Sequence, residues 1–77
     1  MKSVLAIGGS DSSSGAGIQA DLKTMSYFGV YAPTVITALT AQNTQGVQYL
    51  YSVPSEFVIK QIKSIIKDIK ISAIKIG

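Results

Sequence analysis

Gly8-Gly9-Ser10-Asp11-Ser12-Ser13-Ser14-Gly15-Ala16-Gly17 separates an apolar run, Ser3 to Ile7, from an amphipathic stretch that reaches Phe28. The run before it is short, apolar and closed by two glycines, the pattern of a buried strand. The segment itself is made of small, flexible and capping residues, so it reads as a loop. After it the spacing predicts a helix over about Gly15 to Phe28. Ser12, Ser13 and Ser14 are its candidate N-caps and Gly29 its terminating glycine. A strand that passes through a glycine-bearing loop into a helix is the opening of a βαβ unit.

The rest of the chain continues that alternation. Pro33 precedes Thr34-Val35-Ile36-Thr37-Ala38-Leu39-Thr40, a run rich in β-branched residues and hence a strand. Ala41 to Gly46 is a polar break, and Val47-Gln48-Tyr49-Leu50-Tyr51 alternates as an exposed strand does. Pro54 suits the first turn of a second helix. In it Val58, Ile62, Ile65, Ile66 and Ile69 share one side, and Lys60, Lys63 and Lys67 the other. Ile71 to Gly77 reads as a last strand. The order β-α-β-β-α-β, with strands alternating with helices, predicts an α/β fold around a mainly parallel sheet with right-handed crossovers. Because the chain stops where a parallel strand should hand over to its next helix, residues 1–77 are expected to be part of a larger single domain.

Composition narrows the function. The 77 residues contain neither cysteine nor histidine, which removes disulfides, thiolate metal sites and imidazole acid–base pairs from this segment and fits a cytoplasmic protein. The apolar run at the N-terminus falls short of the roughly 7–15 residues of a secretory h-region. No segment approaches the ~20 apolar residues of a membrane span, so no membrane partner is expected. Net charge is +3 and every basic residue is lysine. Without arginine for bidentate base or phosphate contacts, the lysine cluster at 60, 63, 67 and 70 reads as a solvated helix face, and no nucleic-acid partner is expected.

In an open parallel sheet, ligands bind beyond the carboxyl ends of the strands. That rule selects Gly8–Gly17, Gln42–Gly46 and the end at Gly77. The first loop invites comparison with a phosphate cradle, but it lacks a Gly-Lys-Ser/Thr ending and the Gly-x-Gly-x-x-Gly spacing, and Asp11 would repel an anion. It suits backbone contact with a neutral ligand better, or a purely structural turn. Asp21 falls inside the apolar sector defined by Ile18, Leu22, Met25 and Phe28. A carboxylate there needs a partner, either a nearby turn or lysine or a ligand. Lys23 points to the opposite side, into solvent. Gln42 can donate and accept together, which matches an aminopyrimidine edge as glutamine matches adenine; a loop amide serving the backbone is the other reading. Tyr49 and Tyr51 could cover a flat ligand, or simply pack locally.

The same residues carry a resemblance. Gly8-Gly9-Ser10-Asp11, Gly15 to Thr24, Val35 to Thr44 and Ala73 to Gly77 resemble successive signature blocks of the phosphomethylpyrimidine kinases, a family of the ribokinase-like superfamily. The resemblance implies the N-terminal part of a ribokinase-like kinase domain. It implies an enzyme of thiamine biosynthesis that phosphorylates 4-amino-5-hydroxymethyl-2-methylpyrimidine, and then its monophosphate, with ATP and Mg²⁺. It further implies Gly9, Asp21 and Gln42 as pyrimidine contacts and a possible homodimer of the full-length enzyme. The anion-hole glycines, the catalytic base and most of the ATP site would lie outside residues 1–77, with no catalytic or metal-binding residue in them. A pyridoxal kinase of the same superfamily and a non-catalytic binding module or remnant are the alternatives. Where the family commonly has proline after Asp11 and glycine at position 14, this chain has Ser12 and Ser14.

Overall fold

The computed structural model describes residues 2–77. Its elements run β1 (Val4–Ser10), α1 (Gly17–Tyr27), β2 (Thr34–Asn43), β3 (Gly46–Ser52), α2 (Ser55–Ile66) and β4 (Ala73–Ile76). The strands form one sheet in the order β3-β2-β1-β4. β1 pairs in parallel with both β2 and β4, while β3 returns antiparallel to β2. The element order and the parallel core of the sheet are those expected from the alternation of strand and helix patterns. The first crossover moves from β1 towards β2 and the second moves back past β1 to β4. α1 packs against β1 and α2 against β2.

Leu5, Ala6, Ile18 and Val35 form the buried core, where β1, β2 and α1 meet. α1 ends in a Schellman motif: Gly29 has φ 69°, its N–H donates to Ser26 O at 3.1 Å, and Val30 N–H donates to Met25 O at 2.8 Å. Glycine carries this left-handed turn without steric cost, as the sequence indicates. Phe28 lies past the end of the helix, is exposed and stacks edge-on against Tyr27 instead of joining the core. Its helical phase is lost once the chain turns at Gly29.

α2 lies against β2. Val58, Ile62, Ile65 and Ile69 are half-buried, Ile66 is exposed, and Lys60, Lys63 and Lys67 face solvent. Beyond the pairing with β3, Gln61 takes the place of a neighbouring strand for β2. Ile36 N–H donates to Gln61 Oε1 at 2.9 Å and Gln61 Nε2 donates to Ile36 O at 2.9 Å. Pro54 sits at the N-cap of α2, one position before the first turn.

Three boundaries differ from the sequence reading, each for a local reason. β1 continues through Gly8 and Gly9 to Ser10, because β2 supplies ladder partners for both glycines after a register shift between them. β2 continues through Gln42 and Asn43, which the composition assigns to a loop, because β3 folds back on it as a hairpin closed by Thr44 and Gln45. Asn43 Oδ1 accepts from Gln45 N–H at 2.9 Å, an Asx turn that serves the hairpin and not a loop. α1 begins at Gly17 with Ala16 as its N-cap, so no serine hydroxyl caps it.

Candidate functional site

The loop between β1 and α1 is organised by Asp11, which is buried. Its Oδ1 accepts from Ser13 N–H at 2.8 Å and from Ser13 Oγ at 2.7 Å. Its Oδ2 accepts from Gly15 N–H at 3.0 Å and Ala16 N–H at 2.8 Å. Asp11 therefore satisfies amides of the loop that leads into α1, while no side chain caps the helix itself. The Ser13 hydroxyl, followed by the backbone amides of Ser13, Ala16 and Gly15, holds the Asp11 carboxyl below its ordinary value, against the opposing effect of burial. Gln19 completes the network: Asp11 N–H donates to Gln19 Oε1 at 2.8 Å, and Gln19 Nε2 donates to Ser10 Oγ at 2.7 Å.

Two residues in this loop carry left-handed backbone, Ser14 at φ 65° and Gly17 at φ 61°. A Cβ on Gly17 would lie 2.4 Å from Gly9 O and 3.3 Å from Asp11 N. Position 17 thus requires glycine both for its φ and for the close approach of α1 to the end of β1. Ser14 tolerates the same conformation at some cost, which accounts physically for the glycine usual at that position in the resembled family.

The end of β2 is tied to the loop by one hydroxyl. Ser12 Oγ accepts from Gln42 N–H at 2.7 Å and donates to Gln42 O at 2.8 Å. β1 has already ended at Ser10, so this side chain supplies the ladder bonds that a strand would supply at Gln42. Proline at position 12 could not do so.

These ties build a depression of about 160 Å³ lined by Gly9, Ser10, Asp11, Ala16, Gly17, Thr40 and Gln42. The sheet register shifts next to both Gly9 (between Gly8 and Gly9) and Gln42 (between Ala41 and Gln42). Such irregularities re-aim side chains near sites. Gly9 and Gln42 are therefore brought together on one depression, near the carboxyl ends of β1 and β2.

Asp21 lies outside that lining. Its Oδ1 pairs with Lys75 Nζ at 2.5 Å, and Lys75 Nζ is 3.7 Å from where a Cβ on Gly77 would stand. Asp21 thus sits near the carboxyl end of β4, on the far side of β1 from Gln42. Its partner in residues 2–77 is a lysine, the second of the options its position left open. Lys23 is exposed, but its Nζ donates to Ser14 O at 2.8 Å. Tyr49 and Tyr51 stand exposed on β3 and do not line the depression.

The loop does not fit a nucleotide phosphate. The amides of Ser13, Gly15 and Ala16, which an anion would need, already donate to Asp11. No group of three or more histidine, cysteine, aspartate or glutamate side chains able to hold a metal occurs among the described residues. The depression instead offers backbone groups, one carboxamide and hydroxyls, a set suited to a small neutral polar ring. Sequence reasoning missed Ser12, Thr40 and Gln19 as site-building residues. The one available signal was Asp11 followed two residues later by serine, a common local turn pattern.

The open α/β sheet has the ribokinase-like fold of its solved neighbours. The phosphomethylpyrimidine kinase family model matches residues 11–77, and the chain belongs to that family. It is 55% identical over 73 residues to the hydroxymethylpyrimidine/phosphomethylpyrimidine kinase of Escherichia coli, covering 95% of this chain and 27% of that protein. The crystal structure of phosphomethylpyrimidine kinase from Clostridium difficile superimposes with a TM-score of 0.95 at 52% identity, covering all of this chain and 33% of that one. Pyridoxal kinase of Bacillus subtilis, solved as an ADP complex, superimposes with a TM-score of 0.89 at 38% identity over 31% of its length. The chain thus spans about a third or less of the length of each of these kinases.

No helix among the described residues is long and apolar enough to cross a membrane.

Proposed function

We propose that residues 1–77 form the pyrimidine-binding part of a kinase that phosphorylates 4-amino-5-hydroxymethyl-2-methylpyrimidine and its monophosphate in thiamine biosynthesis. The observation that carries this reading is the joint placement of Gly9 and Gln42 on one depression, each beside a register shift, within a family whose members are named for this reaction. Gln42 meets the aminopyrimidine edge through its carboxamide, and the Gly9 backbone approaches the ring where a side chain would obstruct it. Asp21 serves the same ligand from the β4 side, where its pairing with Lys75 orients it. ATP is the phosphoryl donor and Mg²⁺ its counter-ion. Both are held outside this segment, because the Asp11-filled loop leaves no free amide cradle for phosphate. The full-length polypeptide acts in the cytoplasm and pairs as a homodimer.

The lower likeness to pyridoxal kinase, 38% against 52% identity in the structural matches, favours the pyrimidine over pyridoxal. The test is ATP-dependent turnover of each compound by the full-length polypeptide that carries residues 1–77. Faster phosphorylation of the pyrimidine is expected; faster phosphorylation of pyridoxal, or of neither, overturns the assignment. The 77-residue segment alone is expected to transfer no phosphoryl group. Phosphoryl transfer depends on positioning and charge stabilisation at the transferred group, and substrate-dependent ATP consumption by the isolated segment would contradict the division of labour proposed here.

A further inference from the structure

Thr40 makes two contacts through a single hydroxyl. Its Oγ1 lies 2.8 Å from Ser10 O and 3.1 Å from the terminal amide of Gln42, at the Oε1 position. A hydroxyl has one proton to donate and lone pairs with which to accept. Ser10 O can only accept, and 2.8 Å is the usual length of an O–H···O bond, so the Thr40 proton goes to Ser10. The 3.1 Å contact lies beyond the ordinary O–H···O range and inside the N–H···O range. Both contacts are satisfied together when the Gln42 amine, not its carbonyl, faces Thr40. The two ends of a carboxamide have nearly the same shape, so the hydrogen-bond network decides between them.

We infer that Thr40 is a positioning residue that fixes the Gln42 carboxamide with its amine toward Thr40 Oγ1, and so sets which ring edge the site accepts. One N–H of the amine is held by Thr40. The other N–H and the carbonyl form a free donor–acceptor edge. That edge pairs with a ring nitrogen lone pair beside an exocyclic amine, and it opposes a ring N–H beside a carbonyl, whose donor and acceptor are exchanged. Ser12 supports the arrangement by bonding both the N–H and the C=O of Gln42. Gln42 can then recognise the other edge only by turning its amide over, which would set its carbonyl against a Thr40 oxygen whose proton is committed to Ser10.

This inference rests on the pyrimidine reading of the site, and the experiment separates the two. Dissociation constants are measured by calorimetry on the full-length polypeptide for 4-amino-5-hydroxymethyl-2-methylpyrimidine and for its 4-oxo counterpart, in the unsubstituted protein, Thr40→Val and Thr40→Ser. The unsubstituted protein is expected to favour the amino compound by about tenfold or more, the discrimination of one bidentate pair. Thr40→Ser should keep that ratio. Thr40→Val should bring it to within about threefold, because the amide is then free to turn. A purely structural role would weaken both ligands together and leave the ratio intact. A Thr40→Val protein that keeps the ratio overturns the role of Thr40 while sparing the pyrimidine site. Equal binding of both compounds by the unsubstituted protein overturns the edge selection, and binding of neither overturns the site and this inference together. Independently of any variant, nuclear Overhauser contact between a Gln42 Nε2 proton and the Thr40 side chain is expected, and its absence overturns the proposed orientation.

Discussion

The corner built by residues 8–17 with Thr40 and Gln42 contrasts with the flank formed by β3, α2 and β4. In the corner, short hydrogen bonds from Asp11, Ser12, Gln19 and Thr40 hold nearly every loop group in place. In the flank, apolar side chains predominate but few are covered. Tyr49, Leu50, Tyr51, Ile74 and Ile76 are all more than half exposed, and α2 buries no residue fully. The site's shape is thus encoded locally, by side chains within a few residues or one strand of each other. The flank's stability depends on burial, which the described residues supply only in part. Substitutions should be costly in the corner and cheap in the flank.

The largest effect is expected at Gly17. Gly17→Ala forces a Cβ to within 2.4 Å of Gly9 O at φ 61°, so the start of α1 must move. Unfolding in urea should show a loss of about 3 kcal/mol or more, combining the left-handed penalty with the clash. A loss below about 1 kcal/mol would mean the loop and α1 are not fixed against each other as described.

Next is the titration of Asp11. Its folded value lies below its unfolded one, so its bonds stabilise the loop above the unfolded value, and this contribution is lost as pH falls through the folded value. Amide exchange at Gly15 and Ala16 should stay slow through the ordinary aspartate range and quicken only in more acidic solution. Release at or above the ordinary range would contradict the network.

Ser12→Ala removes both bonds to the Gln42 backbone and should cost about 1 kcal/mol, with exchange at Gln42 N–H accelerated more than at Leu39. Ser14→Gly should work in the opposite sense and stabilise by roughly 1 kcal/mol, since glycine adopts φ 65° without strain. At the small end, Tyr49→Ala on the exposed face of β3 should change stability by less than about 0.5 kcal/mol. A larger loss there would show that the flank is packed after all.

Much of this structure was legible beforehand because patterns of period 2 and 3.6 are local. The β-α-β-β-α-β order, the Gly29 terminus of α1 and the lysine face of α2 all follow from residues read a few positions at a time. The ends of β1 and β2 were not legible. Whether Gly9 or Gln42 is strand or loop depends on partners contributed by Ala38 and Val47, and pairing across the sheet leaves no mark on the local composition. Exposure of Phe28 was hidden for a similar reason, since its side of the helix matters only while the helix continues. At the candidate site, Gln42 could be singled out from its place at a strand end, and Gly9 only through the family resemblance. Ser12 and Thr40 were not, because a hydroxyl that replaces a ladder bond looks in sequence like any loop or strand residue. The ion pair of Asp21 with Lys75, separated by 54 residues, was open only as one alternative for a carboxylate on an apolar stripe.

The most direct test of the account is a crystal structure of the full-length polypeptide carrying this segment, grown with 4-amino-5-hydroxymethyl-2-methylpyrimidine. The account predicts the ring in the depression between Gly9 and Gln42, with the Gln42 carboxamide in the plane of the aminopyrimidine edge. A ring bound elsewhere, or bound there with Gln42 turned away, would contradict it.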